Sequence, residues 1–470
     1  MPALPDTFGA VELTRSLLYL SYLFPPRGGA GVQRSLKFAK YLPEFGWQPL
    51  IIANGGHASD GVTQMKDSTL LRDLPPGTIV RYTMDETKIE NKLRRWFNPT
   101  DSSAWWVKPA IAAANELLQQ HSPSAILVTM SPFSAAEAGI KLKTQTNLPL
   151  ILDLRDPWAL DETKIYPTLL HAWRDMAAMS RALHHADLII MNTPQAVQAV
   201  RNTFNLPDST RIISLTNGFD EDDFATTTPQ VPQADPDTLR IVHTGLFHCE
   251  WAEIWDDIRA PRGLISRFKH PRRQINLWTR TPGYLLDAMQ RATGKFELVL
   301  VGELTPADKL MLENSPIRDQ IKILGYRSHD QSVAWLKSAD LLFLPLHTPL
   351  DGDPALIVPG KAYEYLGARR PILAMGPRGD MRNFIRDTNT GLTLDGDDVS
   401  AAAEALNQFH RAKLAGQPLY HPDFEQISRF ERRNLTQQLA HELDTLTAAV
   451  PDRSTAPLPH HSSPTLVTQP

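Results

Sequence analysis

The chain has 470 residues, a formal net charge of −4, and ordinary apolar (42%) and charged (21%) fractions. That is too long for one ordinary core, and it gives no global pull toward nucleic acid, so roughly two to three domains of ~100–200 residues are expected. The single cysteine, Cys249, excludes an internal disulfide framework.

Residues 1–12 read as a short arm without the basic and apolar regions of a signal peptide. No run approaches the ~20 apolar residues that span a bilayer. A cytoplasmic protein is expected, with attachment to the inner face of a membrane left open. Leu17–Leu23 is a compact apolar run and reads as a buried parallel strand. It leads through a glycine-rich turn containing Gly28 and Gly29 into a helix carrying Val32, Leu36, Ala39 and Leu42, and then into a strand at Trp47–Ile52. This is a β–loop–α–β unit. The Gly-x-Gly-x-x-Gly fingerprint and its ribose-binding acid are missing, which disfavours an NAD enzyme. Residues 57–110 are less regular, with a basic–aromatic stretch at Asn91–Phe97. Further strands are expected at Ala125–Thr129, Leu148–Asp153, Ala186–Asn192 and Arg211–Leu215. The strand at Leu148–Asp153 runs into Arg155 and Asp156, which could pair with each other or meet a ligand in the crevice of an open sheet.

Residues 13–224 thus make a first doubly wound domain, and residues 225–238, nearly devoid of large apolar side chains, make a linker. A second domain, residues 239–420, opens with a strand ending at Gly245. An extra segment, about 248–278, follows. Arg259, Arg262, Arg267, Lys269, Arg272 and Arg273 are interleaved there with apolar residues, a mixture suited either to an anionic surface or to packing on its own domain. Strands recur at Phe296–Gly302, Ile321–Gly325 and Ala339–Pro345. Residues 398–415 and Phe424–Leu446 read as helices, the latter within a 421–448 segment that packs on the first domain, and residues 449–470 as a disordered tail.

The stretch Val358–Leu373 carries the most chemistry. Pro359 and Gly360 break the chain before a short helix bearing Lys361 and Glu364, which Gly367 can close before a strand restarts at Pro371. A helix N-terminus holds phosphate oxygens through its unpaired N–H groups, and Lys361 adds a point charge. Glu364, one turn on, can accept hydrogen bonds from sugar hydroxyls. A diphosphate beside a ribose is what such a pair suits.

This stretch resembles the donor-site segment of the retaining GT-B glycosyltransferases of family four. The Phe-Pro-Pro-x-Gly-Gly loop at Phe24–Gly29, the Asp-x-Arg-Asp-Pro-Trp segment at Asp153–Trp158 and the Asn-Gly-Phe-Asp segment at Asn217–Asp220 resemble that family in the same order. The resemblance implies an α/β fold of two Rossmann-like domains facing a cleft, with a C-terminal helix crossing back to the first. It implies transfer of a sugar from a nucleotide sugar, with retention, to a glycan or lipid-linked acceptor, in cell-surface polysaccharide biosynthesis. The nucleotide sugar is a co-substrate; no further cofactor, no metal and no nucleic acid are expected. It implies donor-binding roles for Gly28, Gly29, Gly245, Arg280, Pro359, Gly360, Lys361 and Glu364, with Arg155, Asp156 and Asp353 as candidate catalytic groups. Many members carry a further Glu eight positions before the ribose-binding one, where this chain has Leu356. Asp351 or Asp353 is a candidate stand-in. A sugar-nucleotide epimerase using His243 and His347, and a non-catalytic glycan-binding or scaffold relative, remain as alternatives.

Overall fold

The computed structural model describes residues 15–55, 67–83, 101, 103–225, 231–259 and 269–448. Seven strands form the first sheet: β1 (Arg15–Ser21), β2 (Trp47–Asn54), β3 (Ile79–Thr83), β4 (Ala125–Met130), β5 (Leu150–Leu154), β6 (Leu188–Met191) and β7 (Arg211–Ser214). They lie in the order β3-β2-β1-β4-β5-β6-β7, parallel throughout. The second sheet has six: β8 (Thr238–Thr244), β9 (Lys295–Val301), β10 (Ile321–Gly325), β11 (Leu341–Pro345), β12 (Ile372–Met375) and β13 (Gly391–Leu394). Their order, β10-β9-β8-β11-β12-β13, repeats the first. Winding reverses between β1 and β4, and again between β8 and β11. Ligands of such sheets sit beyond the strand carboxyl ends at these switch points.

Continuous apolar runs form these strands because helices cover both faces. On the first sheet, Leu18, Leu20, Ile126, Val128, Leu150 and Leu152 face one core, which holds Ala110 and Leu117 of helix Val107–Gln120. Leu17, Tyr19, Leu127 and Ile151 face the other, where Phe38 and Ala39 meet Leu435, Leu439 and Leu443 of helix Arg432–Ala448. The C-terminal helix therefore covers the first sheet after the second domain is complete. It is tied there by Trp47 Nε1, which donates to Asp444 Oδ1 at 2.8 Å, and by the Arg15–Asp444 ion pair at 2.7 Å.

Several elements differ from the sequence expectation. The expected helix over Phe424–Leu446 is two, Phe424–Ser428 and Arg432–Ala448. Between them Phe430 O accepts from Phe219 N (3.1 Å) and Arg432 N donates to Phe219 O (2.7 Å), so the backbone serves the 217–220 segment there. A Cβ on Gly218 would lie 2.3 Å from Phe430 O, which explains that glycine. The helix of the Lys361 stretch runs Gly360–Ala368. Gly367 lies inside it because a Cβ there would strike Phe224 at 2.3 Å, and Arg369, at φ 55°, takes the left-handed closing position. Strand β3 and the first turn of helix Val107–Gln120 fall in the 57–110 stretch that looked irregular. The Asn91–Phe97 stretch, Arg262, Arg267 and the 449–470 tail lie outside the described residues.

Candidate functional site

Helix Gly360–Ala368 starts beside the second switch point. Ala362, Tyr363, Tyr365, Leu366 and Ala368 are buried, which leaves Lys361 and Glu364, one turn apart, half-buried on the cleft side. Tyr365 fixes the helix to the strand ends: its hydroxyl donates to Phe343 O (3.2 Å) and accepts from Thr244 N (3.1 Å). Pro359 is the residue before the helix, and Gly360 comes nearest to Asn217 of the first domain, with a Cβ 3.9 Å from its Nδ2.

Lys361 reaches over the end of β8. Its Nζ lies 2.9 Å from Nε2 of fully buried His243, whose Nδ1 lies 3.0 Å from Phe343 O. A carbonyl only accepts, so Nδ1 carries the proton and Nε2 accepts from the lysine. Burial and the Lys361 charge hold His243 well below the usual histidine range. Gly245, at φ 93°, opens the path for the lysine, since a Cβ there would lie 3.1 Å from Nζ. Gly302 in turn admits Gly245, whose carbonyl oxygen would be 2.6 Å from a Cβ at 302.

Positive charge concentrates at this point. Burial, then Arg280, push the Lys361 ammonium down to about 7, with Glu364 acting the other way. Burial, with Arg280 and Lys361 nearby, pushes His248 down to about 2. Burial lowers Arg280 as well, against the pull of Asp161, Asp156 and Glu162 of the first domain. Three cationic groups thus share one end of the second sheet; desolvation works against the charge of each, and like-charged neighbours add to this for Lys361 and His248. A multiply charged anion relieves all three at once.

Glu364 faces a second cluster. Burial raises its carboxyl above the usual range, with His329 and Arg432 opposing and Asp223 adding to the rise. His329 Nε2 lies 3.0 Å from Asp223 Oδ2. Burial works against protonating His329, but the Asp223 and Glu364 carboxylates outweigh it and raise the ring to about 9. Asp73, Asp220 and Asp223 approach closely enough to cage a metal ion. The Lys37 ammonium fills that place, at 2.6, 2.5 and 2.7 Å from the three carboxylates.

Of the first-domain candidates, Asp156 is exposed, with Arg155, Asp161, Arg280 and Lys164 close enough to act on its carboxyl, whereas Arg155 is buried. Arg155 donates from Nε to Met130 O at 2.9 Å and from Nη1 to Gly31 O. Its guanidinium ties the first turn of helix Ala30–Tyr41 to the end of β4, a positioning task. Asp153 of the same motif is wholly buried and takes Arg34 (Nε–Oδ2 3.0 Å, Nη2–Oδ1 2.8 Å) and the Thr129 hydroxyl. Gly29, at φ 97°, has open space above it, and with Gly28 it forms the bend before helix Ala30–Tyr41. Asp353 is 81% exposed and lies 4.0 Å from Arg273. Asp351 pairs with that same arginine, Nε to Oδ2 at 2.6 Å.

Sequence reasoning missed His248, His329, Arg432 and Glu162 as cleft groups; each stands alone in its own segment, and only the fold brings them together. The 248–278 segment begins as helix Cys249–Arg259, whose Ala252 and Trp255 pack on Ile275 and Leu277. His270–Pro271 then pairs with Ile165–Tyr166 of the first domain, and Ile275–Asn276 with Thr348–Pro349 of the second. The described part of the segment therefore bridges the domains. Among its described cations, Arg259 pairs with Asp256, Arg273 with Asp351 and Glu162, and Arg280 just beyond turns into the cleft.

The family described as Glycosyltransferase Family 4 matches residues 29–223, and Glycosyl transferases group 1 matches residues 275–411. The chain belongs to the family-four glycosyltransferases. No curated protein sequence matches it. Among solved structures, sucrose-phosphate synthase of Thermosynechococcus elongatus is similar with a TM-score of 0.61 at 12% identity, over 93% of this chain and 100% of that one. Anabaena HepE in complex with UDP and glucose gives 0.56 at 13% identity, over 92% and 100%. WaaG, a glycosyltransferase involved in lipopolysaccharide biosynthesis, gives 0.52 at 13% identity, over 92% and 100%. At these identities the structures support the two-domain GT-B fold of this glycosyltransferase. No described helix is long and apolar enough to cross a membrane.

Proposed function

We propose that this glycosyltransferase moves a sugar from a nucleoside-diphosphate sugar to a glycan or lipid-linked acceptor, with retention of configuration, in the making of a cell-surface polysaccharide. The observation that carries this is the convergence of Lys361, His248 and Arg280 at the mouth of β8, each disfavoured in its charged form by burial, and Lys361 and His248 also by the neighbouring cations. The diphosphate lies against them. Lys361 and Arg280 stabilise the charge that grows on the leaving phosphate, the electrostatic term that usually dominates such catalysis. Glu364 accepts from the ribose hydroxyls. Gly28 and Gly29 close over the donor from the first domain, and Asp156 faces the acceptor side. Arg155 acts through the first turn of helix Ala30–Tyr41, just behind the Gly28–Gly29 loop.

The epimerase alternative is weakened by its own candidate residues. His243 and His347 are both wholly buried, and each gives a ring nitrogen to a protein partner, Phe343 O and Glu162 Oε1. The deciding assay follows nucleoside diphosphate released from a panel of nucleotide sugars, with and without extracted lipid-linked oligosaccharides. Release that depends on acceptor supports transfer. Interconversion of the nucleotide sugar without acceptor contradicts it. UDP-glucose leads the panel because the HepE structure holds UDP and glucose.

Diphosphate binding is also expected to take up a proton. Lys361 sits near 7 in the free protein, and the bound anion raises it. Above that pH an unprotonated lysine must be charged on binding, so affinity falls with rising pH, approaching about tenfold per unit. Calorimetry at pH 8.5 in two buffers of different ionisation enthalpy reads the uptake directly; equal heats in both buffers would contradict it.

A further inference from the structure

The peptide at Leu356 is held from the first domain on three sides. Its N–H faces both oxygens of Glu162, at 3.2 and 3.3 Å. Its carbonyl accepts from Thr193 Oγ1 at 2.7 Å. Its side chain packs against the core under the first sheet. Glu162 is itself wholly buried, and its remaining partners also come from the second domain: His347 Nε2 at 2.6 Å and Arg273 Nη1 at 3.1 Å. Arg273 further donates to Pro354 O at 3.0 Å, inside the same loop. One first-domain carboxylate therefore organises three points of the loop that runs from His347 to the helix of Lys361.

We propose that Glu162 is a positioning residue that crosses the cleft and sets this loop in its sugar-binding shape only when the two domains are together. Leu356 is then the rivet rather than a sugar contact, which explains why an apolar residue stands eight positions before Glu364. The loop lies between the end of β11 and the Lys361 helix, where any sugar attached to the diphosphate must pass. The loop carries no buried carboxylate of its own, because Asp351 and Asp353 are turned to Arg273 and solvent. The carboxylate that shapes it comes from the other domain, so closure and loop geometry are one event. Nucleoside diphosphate alone takes its charged contacts, Lys361, Arg280 and Glu364, from the second domain and binds before the Gly28–Gly29 loop closes over it. This rests on the transferase reading given above.

Glu162→Gln keeps the size of the side chain and removes the charge that Arg273 and His347 meet. Leu356→Ala keeps the charges and removes the packing. For both variants, nucleoside diphosphate affinity should not fall below the wild-type value, since Glu162→Gln only removes an acid that countered Arg280, while kcat for sugar transfer falls by about 10²-fold, the usual result of a misplaced reacting group. Glu162→Asp should recover part of the loss. Small-angle scattering of the unliganded variants should show a larger radius of gyration than the wild type. Unchanged kcat with unchanged scattering in either folded variant overturns the proposal. Failure of the wild type to bind any nucleoside diphosphate is a different result. It defeats the donor reading, and the scattering comparison then decides the latch alone, with unchanged dimensions again overturning it.

Discussion

Lys361→Ala should weaken nucleoside diphosphate binding at least about 30-fold while leaving the free protein as stable as the wild type or more so. Removing one member of a desolvated charge pair usually costs about 2–5 kcal/mol of binding, and each 1.4 kcal/mol is tenfold. The second half of the expectation comes from the sign of the charge balance. Burial and Arg280 hold the lysine at about 7, below its ordinary 10.5. The unfolded chain therefore binds more protons between those values, and stability rises with pH across that window. At or below pH 7 the wild type carries the full cost of a crowded ammonium, and alanine does not. A residue that harms the empty fold and holds the ligand is selected for binding. Isothermal titration of both proteins with the cognate nucleotide, alongside thermal unfolding at pH 7, checks the pair of outcomes. The alanine variant should also lose the pH dependence of binding above 7. Glu364→Ala should weaken binding as well, by about tenfold, through the ribose hydrogen bonds to a carboxylate. Equal affinities in wild type and both variants would move the donor site elsewhere.

Arg34→Met should be the most damaging single change to the fold. Arg34 is 1% exposed and Asp153 is wholly buried. The guanidinium donates twice to Asp153, and also to Thr216 O at 2.6 Å and Leu215 O at 2.9 Å. Methionine fills a similar volume but leaves the carboxylate with the Thr129 hydroxyl as its remaining partner and strips two carbonyls of theirs. Breaking a buried pair from one side costs about 3–5 kcal/mol. For a domain of this size that lowers Tm by about 6–20 °C. Removing the exposed Arg411–Glu404 pair should leave the Tm where it is. A small shift for Arg34→Met would mean that water reaches the strand ends and that the motif residues are freer to meet a ligand than their burial implies.

Much of this architecture is legible in the order of the residues. Parallel strands covered on both faces must be nearly all apolar, so Leu17–Leu20, Ile126–Val128 and Leu341–Leu344 announce themselves. Lys361 and Glu364 are legible for a similar reason: they are the two charges on an otherwise apolar turn that Pro359 and Gly360 introduce. Strand β3 is not legible, because an edge strand buries little; Arg81 and Tyr82 point outward and interrupt its pattern. The break at residues 429–431 is hidden because its cause, the backbone of Phe219, lies some two hundred positions earlier. Composition cannot separate a motif that binds from a motif that braces. In Asp153–Trp158 the chemistry left Arg155 and Asp156 open to pairing with each other or meeting a ligand; in the fold Asp153 and Arg155 satisfy protein groups and Asp156 is exposed. Glu162 gave no signal at all, since its three second-domain partners are supplied only by tertiary packing.

The most direct measurement is calorimetric titration of the purified full chain with UDP, GDP and ADP at pH 7. One diphosphate should bind selectively, stabilise the fold by mass action and bind far less tightly to Lys361→Ala. A folded protein that binds none of them would contradict a donor site at the mouth of β8.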